Sequence, residues 1–551
     1  MIDLNKRVNE ICETIFIRYD RELAKRLYTY ISNKWFLPST PILHNFGKEH
    51  GLPISCFVNH VGDRMENIKD SYSEAFEYAR LGGGVGTYWG DVREIGASIR
   101  GVSSQHKGII PFLKVQDSMS LAINQTNIRS GSTAVYLNVW HPEIEEFINI
   151  RNITGGDNNR RCLNLHHGVI IDDVFMKAVI ENDVYHLKSI VTNNTVRTVR
   201  ARDLWESILT TRIETGEPFI IFIDNVNNSL PPLPENKKVY TSNLCTEILQ
   251  PTSCVSPAIC CLASLNIEKW FEYDSCLDKV VKDILIFLDC VINEFLEKTE
   301  LNYTLSNTVN SVLQSRAVGL GVMGYHSFLQ SLNIPFDSLL SKSWNKKIFH
   351  QLNTACNEAN KQLGLELGVC PDTEFTSFPR RFTFTQAIAP TATISSHFET
   401  SPGIDPYVSN IFNHKNQKGN FVSTNKHLYK LLSEKVGEEN VTEELKKIKA
   451  NNGSVMECKF LEDKEKEIFK TSYEIDQRWI VELAGDRSKY IDQGQSVNLF
   501  FSADTKKGDL NKIHLEAWKK GVKSLYYCRS KAIKRAKIIG EENYKECLAC
   551  Q

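Results

Sequence analysis

Ala134-Val135-Tyr136-Leu137-Asn138-Val139 is a short and almost wholly apolar stretch, with the length expected of a buried β-strand. A second segment of this kind, Gly168-Val169-Ile170-Ile171, follows further along the chain. Amphipathic stretches of helical length alternate with such segments, for example residues 203–214 and 277–296. Strands that alternate with helices predict an α/β fold built on parallel strands.

The chain changes character towards both of its ends. Residues 1–35 carry apolar side chains at three- and four-residue intervals, which predicts a short helical N-terminal segment. No repeat and no linker rich in Pro, Gly or Ser divides residues 36–528, so we predict one large domain there. Within it, the charged stretch 424–470 predicts surface helices. Residues 529–551 are basic and polar with little to bury, and we expect a flexible C-terminal tail.

The overall composition excludes several classes of function. The 65 Lys and Arg residues nearly balance the 66 Asp and Glu residues, so the formal net charge of -1 does not favour nucleic acid or an anionic membrane. The N-terminus lacks the apolar run of a signal peptide, and no stretch reaches the roughly 20 apolar residues that span a bilayer. We therefore expect a cytoplasmic protein, whose thiols stay reduced. Most of its 15 cysteines should then be small buried hydrophobes.

Ser242-Asn243-Leu244-Cys245-Thr246-Glu247 is the segment richest in chemically useful groups. If it is extended, alternation places the Asn243 amide, the Cys245 thiol and the Glu247 carboxylate on one face. This trio would be unusual for a protein core. The alternative is that Cys245 simply packs, while the two polar side chains cap the end of a strand.

Other cysteines stand in two kinds of setting. Cys56, Cys260 and Cys261 lie in apolar runs, and each alone is more typical of packing than of reactivity. Cys547 and Cys550 have the spacing of redox dithiols and of half a zinc site. A zinc ribbon would need a second pair at that spacing, which the sequence lacks. A tail position favours electron exchange with a partner.

Together these motifs resemble the large subunit of class I ribonucleotide reductases. The resemblance runs from about Trp35 to the last residue, with the motifs in the family's order. It rests on Pro38-Ser39-Thr40-Pro41, Ser55-Cys56-Phe57, Gly83-Gly84-Val85-Gly86, Asn243-Leu244-Cys245-Thr246-Glu247, Cys260 followed by Leu262-Ala263-Ser264-Leu265, Pro390-Thr391-Ala392-Thr393, Asp486-Arg487-Ser488, Gln493-Gly494-Gln495-Ser496-Val497-Asn498, Tyr526-Tyr527 and Cys547 with Cys550.

The resemblance implies a ten-stranded α/β barrel over residues 36–528, with the active-site loop inside it. Cys245 would carry the thiyl radical that abstracts the 3′ hydrogen of a ribonucleoside diphosphate. Glu247 would be the general base on the 3′ hydroxyl, with Asn243 as its hydrogen-bonding partner. Cys56 and Cys260 would supply the reducing equivalents and end as a disulfide. The choice of Cys260 over Cys261 follows from the Leu-Ala-Ser-Leu sequence behind it.

The same resemblance implies the partners of the chain. Tyr526 and Tyr527 would relay the radical from a separate, metal-containing small subunit, although a Tyr-Tyr pair without this context is typical of strand packing. The dyad favours class I over the cobalamin-dependent class. Thioredoxin or glutaredoxin would reduce Cys547 and Cys550, and the large subunit would form a homodimer. This chain itself would bind no metal and no cofactor.

Further positions match nucleotide contacts of the family. Pro390-Thr391-Ala392-Thr393-Ile394 could present backbone N–H groups to a diphosphate at a helix start, or could be a plain helix cap. The other substrate-contacting matches are Thr40, Ser55, Gly84, Leu244 and Thr246. The positions that match the site of a dNTP or ATP specificity effector, which taken singly would be ordinary surface charges, are Asp63, Arg64, Met65, Arg93, Arg100 and Arg129. Residues 125–131 resemble the loop that reports the effector to the substrate.

Four further expectations complete the interpretation. Residues 319–324 fit a dinucleotide glycine pattern, but we interpret them as helix packing and not as a nicotinamide site. His166 and His167 should point to opposite faces of a strand, which favours a structural role over metal binding.

The resemblance to the catalytic domain of the family begins too near Met1 to leave room for an ATP-cone domain. A catalytically dead homologue serving as a scaffold remains an alternative, although it would be expected to lose some of the active-site residues.

Overall fold

A computed structural model describes residues 3–102, 105–123, 132–152, 157–416, 419–502 and 504–530. The helices are α1 (Leu4–Arg18), α2 (Arg21–Ser32), α3 (Thr40–Asn45), α4 (Met65–Arg80), α5 (Ile110–Ala122), α6 (Ile144–Ile148), α7 (Asp173–Glu181), α8 (Ala201–Thr215), α9 (Ile223–Asn227), α10 (Trp270–Tyr273), α11 (Leu277–Thr299), α12 (Ser306–Ser315), α13 (Tyr325–Ser331), α14 (Leu339–Leu367), α15 (Ala392–Phe398), α16 (Lys426–Val436), α17 (Glu438–Ala450), α18 (Asp463–Ile468), α19 (Gln477–Ser488) and α20 (Lys507–Lys519). The strands are β1 (Phe36–Pro38), β2 (Cys56–His60), β3 (Gly84–Tyr88), β4 (Thr133–Asn138), β5 (Leu165–Ile171), β6 (Val184–Lys188), β7 (Thr195–Arg200), β8 (Phe219–Phe222), β9 (Ala258–Asn266), β10 (Val318–Met323), β11 (Ile411–Asn416), β12 (Gly419–Thr424), β13 (Leu499–Phe501), β14 (Ser524–Leu525) and β15 (Cys528–Ser530).

A curled mixed sheet of nine strands forms the centre of the molecule. Its order is β1-β9-β2-β3-β4-β5-β8-β14, with β10 also paired to β9. Strands β2, β3, β4, β5 and β8 run parallel to one another, which confirms the predicted α/β fold on parallel strands. The curl makes this sheet a half-barrel, in keeping with the α/β barrel that the resemblance implies. The expected number of ten strands is not reached by this sheet in the described ranges.

Backbone hydrogen bonds outside the named strands link β10 to β14 through the segments that lie between them. From β10, the N–H of Val318 donates to the carbonyl of Phe384 at 3.0 Å. From the segment that follows Phe384, the N–H of Ile388 donates to the carbonyl of Gly494 at 3.0 Å. The N–H of Tyr526, beside β14, donates to the carbonyl of Val497 at 2.8 Å. Two extended segments therefore lie between β10 and β14.

The apolar stretch 134–139 shows why the sheet has two hydrophobic sides. Strand β4 covers most of this stretch, and all its residues are buried. Val135 and Leu137 pack into the large core between the sheet and its helices, whereas Ala134 and Tyr136 point into a smaller core inside the curl. Because successive side chains of a strand point to opposite faces, an unbroken apolar run fits a strand covered on both sides.

The helical predictions are confirmed. Helices α1 and α2 occupy the N-terminal segment, and the side chains of Asp3 and Asp20 accept N–H bonds at their starts. Helices α8 and α11 contain the predicted stretches 203–214 and 277–296. The charged stretch 424–470 contains α16, α17 and α18, which enclose a small core of their own that includes Leu432 and Val441.

The interpretation of residues 319–324 as helix packing is wrong, because most of them form strand β10. This strand pairs in parallel with β9. A Cβ atom on Gly321 would lie 2.4 Å from the carbonyl oxygen of Ala387, so glycine allows the neighbouring segment to approach closely. In the part of the chain that the structure describes, no helix is long and apolar enough to cross a membrane.

Candidate active site

The segment 242–247 forms a tight turn inside the curl, not the extended strand considered from the sequence. Thr246 has a φ of +67°, a left-handed conformation that β-branched residues rarely adopt. The Asn243 side chain closes the turn, because its Oδ1 accepts the N–H of Ile248 at 3.1 Å and its Nδ2 donates to Glu247 Oε1 at 3.0 Å. The turn thus brings together the amide and the carboxylate that alternation was expected to align.

Two strands hold this active-site loop from one side. The hydroxyl of Tyr136, on β4, donates to the carbonyl of Asn243 at 2.6 Å. On β3, a Cβ atom at Gly86 would lie 1.9 Å from the carbonyl oxygen of Ser242. Only a residue without a side chain therefore lets the loop lie so close to the strand.

Cys56 and Cys260 are directly opposite each other on the antiparallel strands β2 and β9. Cα atoms of such partners lie about 4.5–5.5 Å apart, within the range of about 4.4–6.8 Å that a disulfide spans. Both residues belong to the core inside the curl. Cys261 faces the other way, with its Sγ 3.8 Å from the carbonyl oxygen of Leu288 on α11. Period-two alternation therefore places Cys260, and not Cys261, beside Cys56.

The environment of the Cys260 thiol keeps it protonated. Burial raises the pKa of Cys260 well above its usual value, and nearby Cys56 and Glu247 add to this effect. The amide of Gln493, with its Nε2 4.0 Å from Cys260 Sγ, acts in the opposite direction. Asn243 Nδ2 lies 3.5 Å from Cys56 Sγ, so the amide that contacts Glu247 also contacts the thiol pair.

Tyr526 and Tyr527 connect this site to the outer part of the molecule. The hydroxyl of Tyr526 lies 3.5 Å from Cys245 Sγ, and Tyr526 is buried. The ring centroids of Tyr526 and Tyr527 are 4.2 Å apart, at an interplanar angle of 51°. The Tyr527 ring is only partly buried, and the Arg529 guanidinium lies 5.3 Å from its centroid. The two rings and the thiol therefore form a continuous series of contacts.

The structure brings in residues for which the sequence indicated no individual role. Ser496 lies in the quoted segment 493–498, and its hydroxyl contacts both the Cys245 carbonyl at 2.6 Å and Glu247 Oε2 at 3.1 Å. Gln493 of the same segment donates to the carbonyl of Val318 at 3.0 Å. The motif itself was the available signal, but the partners of its side chains depend on the tertiary fold.

The residues expected to contact substrate lie on several elements, and Leu244 and Thr246 belong to the loop itself. Thr40 and Ser55 are buried, Gly84 is the β3 partner of Cys56, and Leu244 and Thr246 are fully enclosed. Thr391 has a φ of +56° directly before α15, and its hydroxyl accepts the N–H of Gly403 at 2.7 Å. The remaining members of this set are Pro390, Ala392, Thr393 and Ile394.

The described members of the expected effector set follow β2 or β3 along the chain. Arg93 forms an ion pair with Asp63, with Nε 2.9 Å from Oδ2, and also donates to the carbonyl of Ser98 at 2.5 Å. Arg64, Met65 and Arg100 are exposed. Arg129 and the reporting loop 125–131 lie outside the described residues, as do Cys547 and Cys550.

The two adjacent histidines share one buried carboxylate. His166 Nδ1 lies 2.6 Å from Glu217 Oε1, and His167 Nδ1 lies 3.3 Å from Glu217 Oε2. Burial alone would raise the pKa of Glu217, but Arg151 and the two histidines lower it well below its usual value. The pair therefore stabilises an ionised side chain beside β5, in keeping with the expected structural role.

Comparisons with known proteins find similar chains and structures over most of the length of this one. The family model for the ribonucleotide reductase barrel domain matches residues 54–380 and 373–528. The ribonucleoside-diphosphate reductase large subunit of Invertebrate iridescent virus 3 is 37% identical, over 94% of this chain and 89% of that protein. The putative ribonucleoside-diphosphate reductase large subunit of Frog virus 3 is 39% identical, over 96% and 93%. The solved structure of the Actinobacillus ureae class Id ribonucleotide reductase alpha subunit superposes with a TM-score of 0.82 at 32% identity, over 96% of this chain and 94% of that one. The chain therefore belongs to the ribonucleotide reductase family, as a large subunit with the barrel domain of these oxidoreductases.

Proposed function

We propose that this chain reduces ribonucleoside diphosphates to 2′-deoxyribonucleoside diphosphates at the active-site loop inside the curled sheet. The observation that carries the proposal is the contact of 3.5 Å between the Tyr526 hydroxyl and Cys245 Sγ, in a buried site that also contains Glu247. A thiol beside a tyrosine, enclosed by protein, suits the transfer of a radical to the thiol and its protection from side reactions.

The chemistry assigns a different step to each side chain. The Cys245 thiyl radical takes the 3′ hydrogen atom of the ribose, and Glu247 accepts the proton of the 3′ hydroxyl. Cys56 and Cys260 then give two electrons and two protons, so that the 2′ hydroxyl leaves as water and a disulfide forms. Cys245 finally returns the hydrogen atom to the 3′ carbon, which regenerates its radical. The products are a deoxyribonucleotide, water and one disulfide.

The radical would reach Cys245 from a separate, metal-containing small subunit through Tyr527 and then Tyr526. The contact between the two rings, and the partial exposure of Tyr527, support this direction. We further assign residues 36–528 to the catalytic domain and residues 1–35 to a helical N-terminal segment. A second copy of the chain is the expected partner in a homodimer.

Reduction of the new disulfide would come from the tail, residues 529–551. Cys547 and Cys550 would exchange with the Cys56–Cys260 disulfide and then be reduced by thioredoxin or glutaredoxin. Substrate would contact Thr40, Ser55, Gly84, Leu244, Thr246 and residues 390–394. A dNTP or ATP effector would bind at Asp63, Arg64, Met65, Arg93, Arg100 and Arg129, where guanidinium groups suit a triphosphate.

The test is the reduction of CDP and ADP by the full-length chain with dithiothreitol and effector nucleotides. We expect product only when a cognate small subunit is present, and none from Cys245→Ala. Turnover that needs adenosylcobalamin in place of the small subunit would contradict the radical route. Intact nucleotide binding without product in any condition would contradict the catalytic proposal and favour a scaffold.

A further inference from the structure

Two consecutive carbonyl groups at the tip of the active-site loop are held by hydroxyl groups from the C-terminal part of the chain. The Cys245 carbonyl accepts from the Ser496 hydroxyl at 2.6 Å. The Thr246 carbonyl accepts from the Ser524 hydroxyl at 2.9 Å. Because Thr246 has a positive φ, the turn has a conformational cost that surrounding contacts must offset. The two serines therefore hold the radical-bearing residue in place.

Ser496 differs from Ser524 because it also contacts the carboxyl group of Glu247. Its Oγ lies 3.1 Å from Glu247 Oε2, and the residue is only 2% exposed. Its backbone is fixed by an N–H bond to the carbonyl of Ile388 at 3.0 Å. The N–H of Gly494 donates to the Glu247 carbonyl at 2.8 Å, so the same segment holds the loop at a further point.

The distances indicate where the single hydroxyl hydrogen of Ser496 lies. The contact to the Cys245 carbonyl is 0.5 Å shorter (3.1 minus 2.6) than the contact to Glu247, so the hydrogen belongs to the former. The lone pairs of Ser496 Oγ are then available to Glu247 Oε2. A protonated carboxyl group can donate to such an acceptor, whereas an ionised carboxylate cannot.

We propose that Ser496 is a positioning residue for this reaction, which ties the Cys245 backbone to Glu247 and accepts a hydrogen bond from Glu247 while that group holds the substrate's 3′ proton. The inference rests on the proposed function. In this step no electron moves: the proton leaves the 3′ hydroxyl, binds Glu247 Oε2 and returns when the 3′ hydroxyl of the product re-forms.

Other groups that face Glu247 come from several elements. Asn243 of the same loop donates to Oε1 and does not titrate in this range. The titratable neighbours are the thiols of Cys56 on β2, Cys260 on β9 and Cys245 in the loop, and the Tyr526 hydroxyl that contacts Cys245. Burial, above all, raises the pKa of Cys260, so that thiol does not ionise in the acid range. Unperturbed thiols and phenols ionise only above about pH 8, whereas carboxyl groups ionise near about pH 4, so we assign the acid limb of the pH profile to Glu247.

The experiment measures kcat between pH 5 and pH 9 for the full-length chain with its small subunit, in the wild type, Ser496→Ala and Ser524→Ala. Loss of the acceptor disfavours the protonated form of Glu247, so Ser496→Ala should move the acid limb to lower pH by about half a unit or more. Its kcat should fall by about tenfold, the effect of one lost hydrogen bond of ordinary strength. Ser524→Ala is the matched control, because it removes a hydroxyl that contacts the carbonyls of Thr246 and Gln495 and leaves the Ser496 contact to Glu247 in place. It should leave the acid limb in place.

A second variant covers the case in which Ser496→Ala does not fold. Ser496→Cys keeps a similar volume but replaces the hydroxyl by a weakly hydrogen-bonding thiol, and should show the same shift of the acid limb. An unchanged acid limb in the folded Ser496 variants, or an equal shift in Ser524→Ala, would overturn the inference. A shift to higher pH would overturn the assigned hydrogen position. Absence of turnover in the wild type would contradict the proposed function instead.

Discussion

At the residue scale, the Tyr526 hydroxyl lies 3.5 Å from Cys245 Sγ. Replacing Tyr526 by Phe removes the oxidisable hydroxyl and keeps the ring between Phe219 and Tyr527. We expect Tyr526→Phe to reduce CDP reduction to the background of Cys245→Ala, with the melting temperature nearly unchanged.

Tyr30→Phe provides the control for this prediction. Tyr30 is also buried, and its hydroxyl donates to Asp283 at 2.9 Å, far along the chain from the active-site loop. Its loss should lower the free energy of unfolding by about 1 kcal/mol and leave kcat unchanged. Substantial turnover in Tyr526→Phe, measured with the small subunit present, would refute the relay through this residue.

The two adjacent cysteines of β9 allow a second test at the same scale. Cys260 faces Cys56, whereas Cys261 faces α11. Cys260→Ala should abolish turnover, and Cys261→Ala should cost about 1 kcal/mol of stability while keeping most of the activity.

The measurement is peptide mass spectrometry after a single turnover without external reductant, with Cys547 and Cys550 replaced by Ser in every chain compared, so that the tail cannot take over the disulfide. We expect a disulfide between Cys56 and Cys260 in the wild type and in Cys261→Ala. A disulfide that includes Cys261, or turnover retained in Cys260→Ala, would contradict the assignment of Cys260 as the redox partner of Cys56.

At the element scale, the position of the active-site loop depends on β3. A Cβ atom at Gly86 would lie 1.9 Å from the Ser242 carbonyl oxygen and 2.8 Å from Asn243 Cα, so either the strand or the loop has to move. Gly86→Ala should lower the free energy of unfolding by about 1–3 kcal/mol, as other overpacked sites do. It should also lower kcat strongly, because the turn carries Cys245.

Gly508→Ala is the matched substitution for this test. Gly508 lies in the first turn of α20, and a Cβ atom there would meet open space. Alanine favours helix, so the melting temperature should stay the same or rise slightly and kcat should not change. Equal thermal denaturation curves for both variants would contradict the close approach of loop and strand.

At the scale of the whole molecule, Glu268 joins the small core of α16, α17 and α18 to the main sheet. Its carboxylate lies just beyond β9, 3.0 Å from His427 Nε2 and 2.9 Å from Lys426 Nζ. Burial alone would raise the pKa of Glu268, but hydrogen bonds and charges from His427 and Lys426 lower it to about 2. The folded state therefore favours the ionised form.

The sign of the pH dependence follows from this lowered pKa. A carboxylate with a depressed pKa stabilises the fold above its unfolded pKa, and this contribution is lost as the pH falls through the folded value. Glu268→Gln should therefore destabilise the chain by roughly 1–3 kcal/mol at pH 7, and the difference from the wild type should shrink between about pH 4.5 and pH 2. Chemical denaturation at several pH values measures this difference. A difference that is constant with pH would contradict it.

Particular residues show how far the sequence determined this protein. The apolar runs of β4 and β5 and the periodic stretches of α8 and α11 were predictable, because local pattern is enough to specify strands and helices covered by a core. The glycines of 319–324 led to a wrong prediction of helix packing. Their small size allows the segment at Ala387 to lie close to the strand, and the local sequence does not reveal this contact. The N-terminal helices and the charged helices of 424–470 followed from periodicity and charge alone.

The candidate site was likewise predictable only in part. The order of its motifs indicated the family and the residue types that carry the chemistry. The resemblance also selected Cys260 over Cys261 as the partner of Cys56, and the strand register agrees with that choice. Only the tertiary structure decided that Asn243 and Glu247 meet through a turn, and that Ser496 contacts both the loop carbonyl and the carboxyl group. Side chains more than two hundred residues apart in the chain come together here because the sheet curls. Such contacts depend on how elements pack, and that information is not present in any local stretch of the sequence.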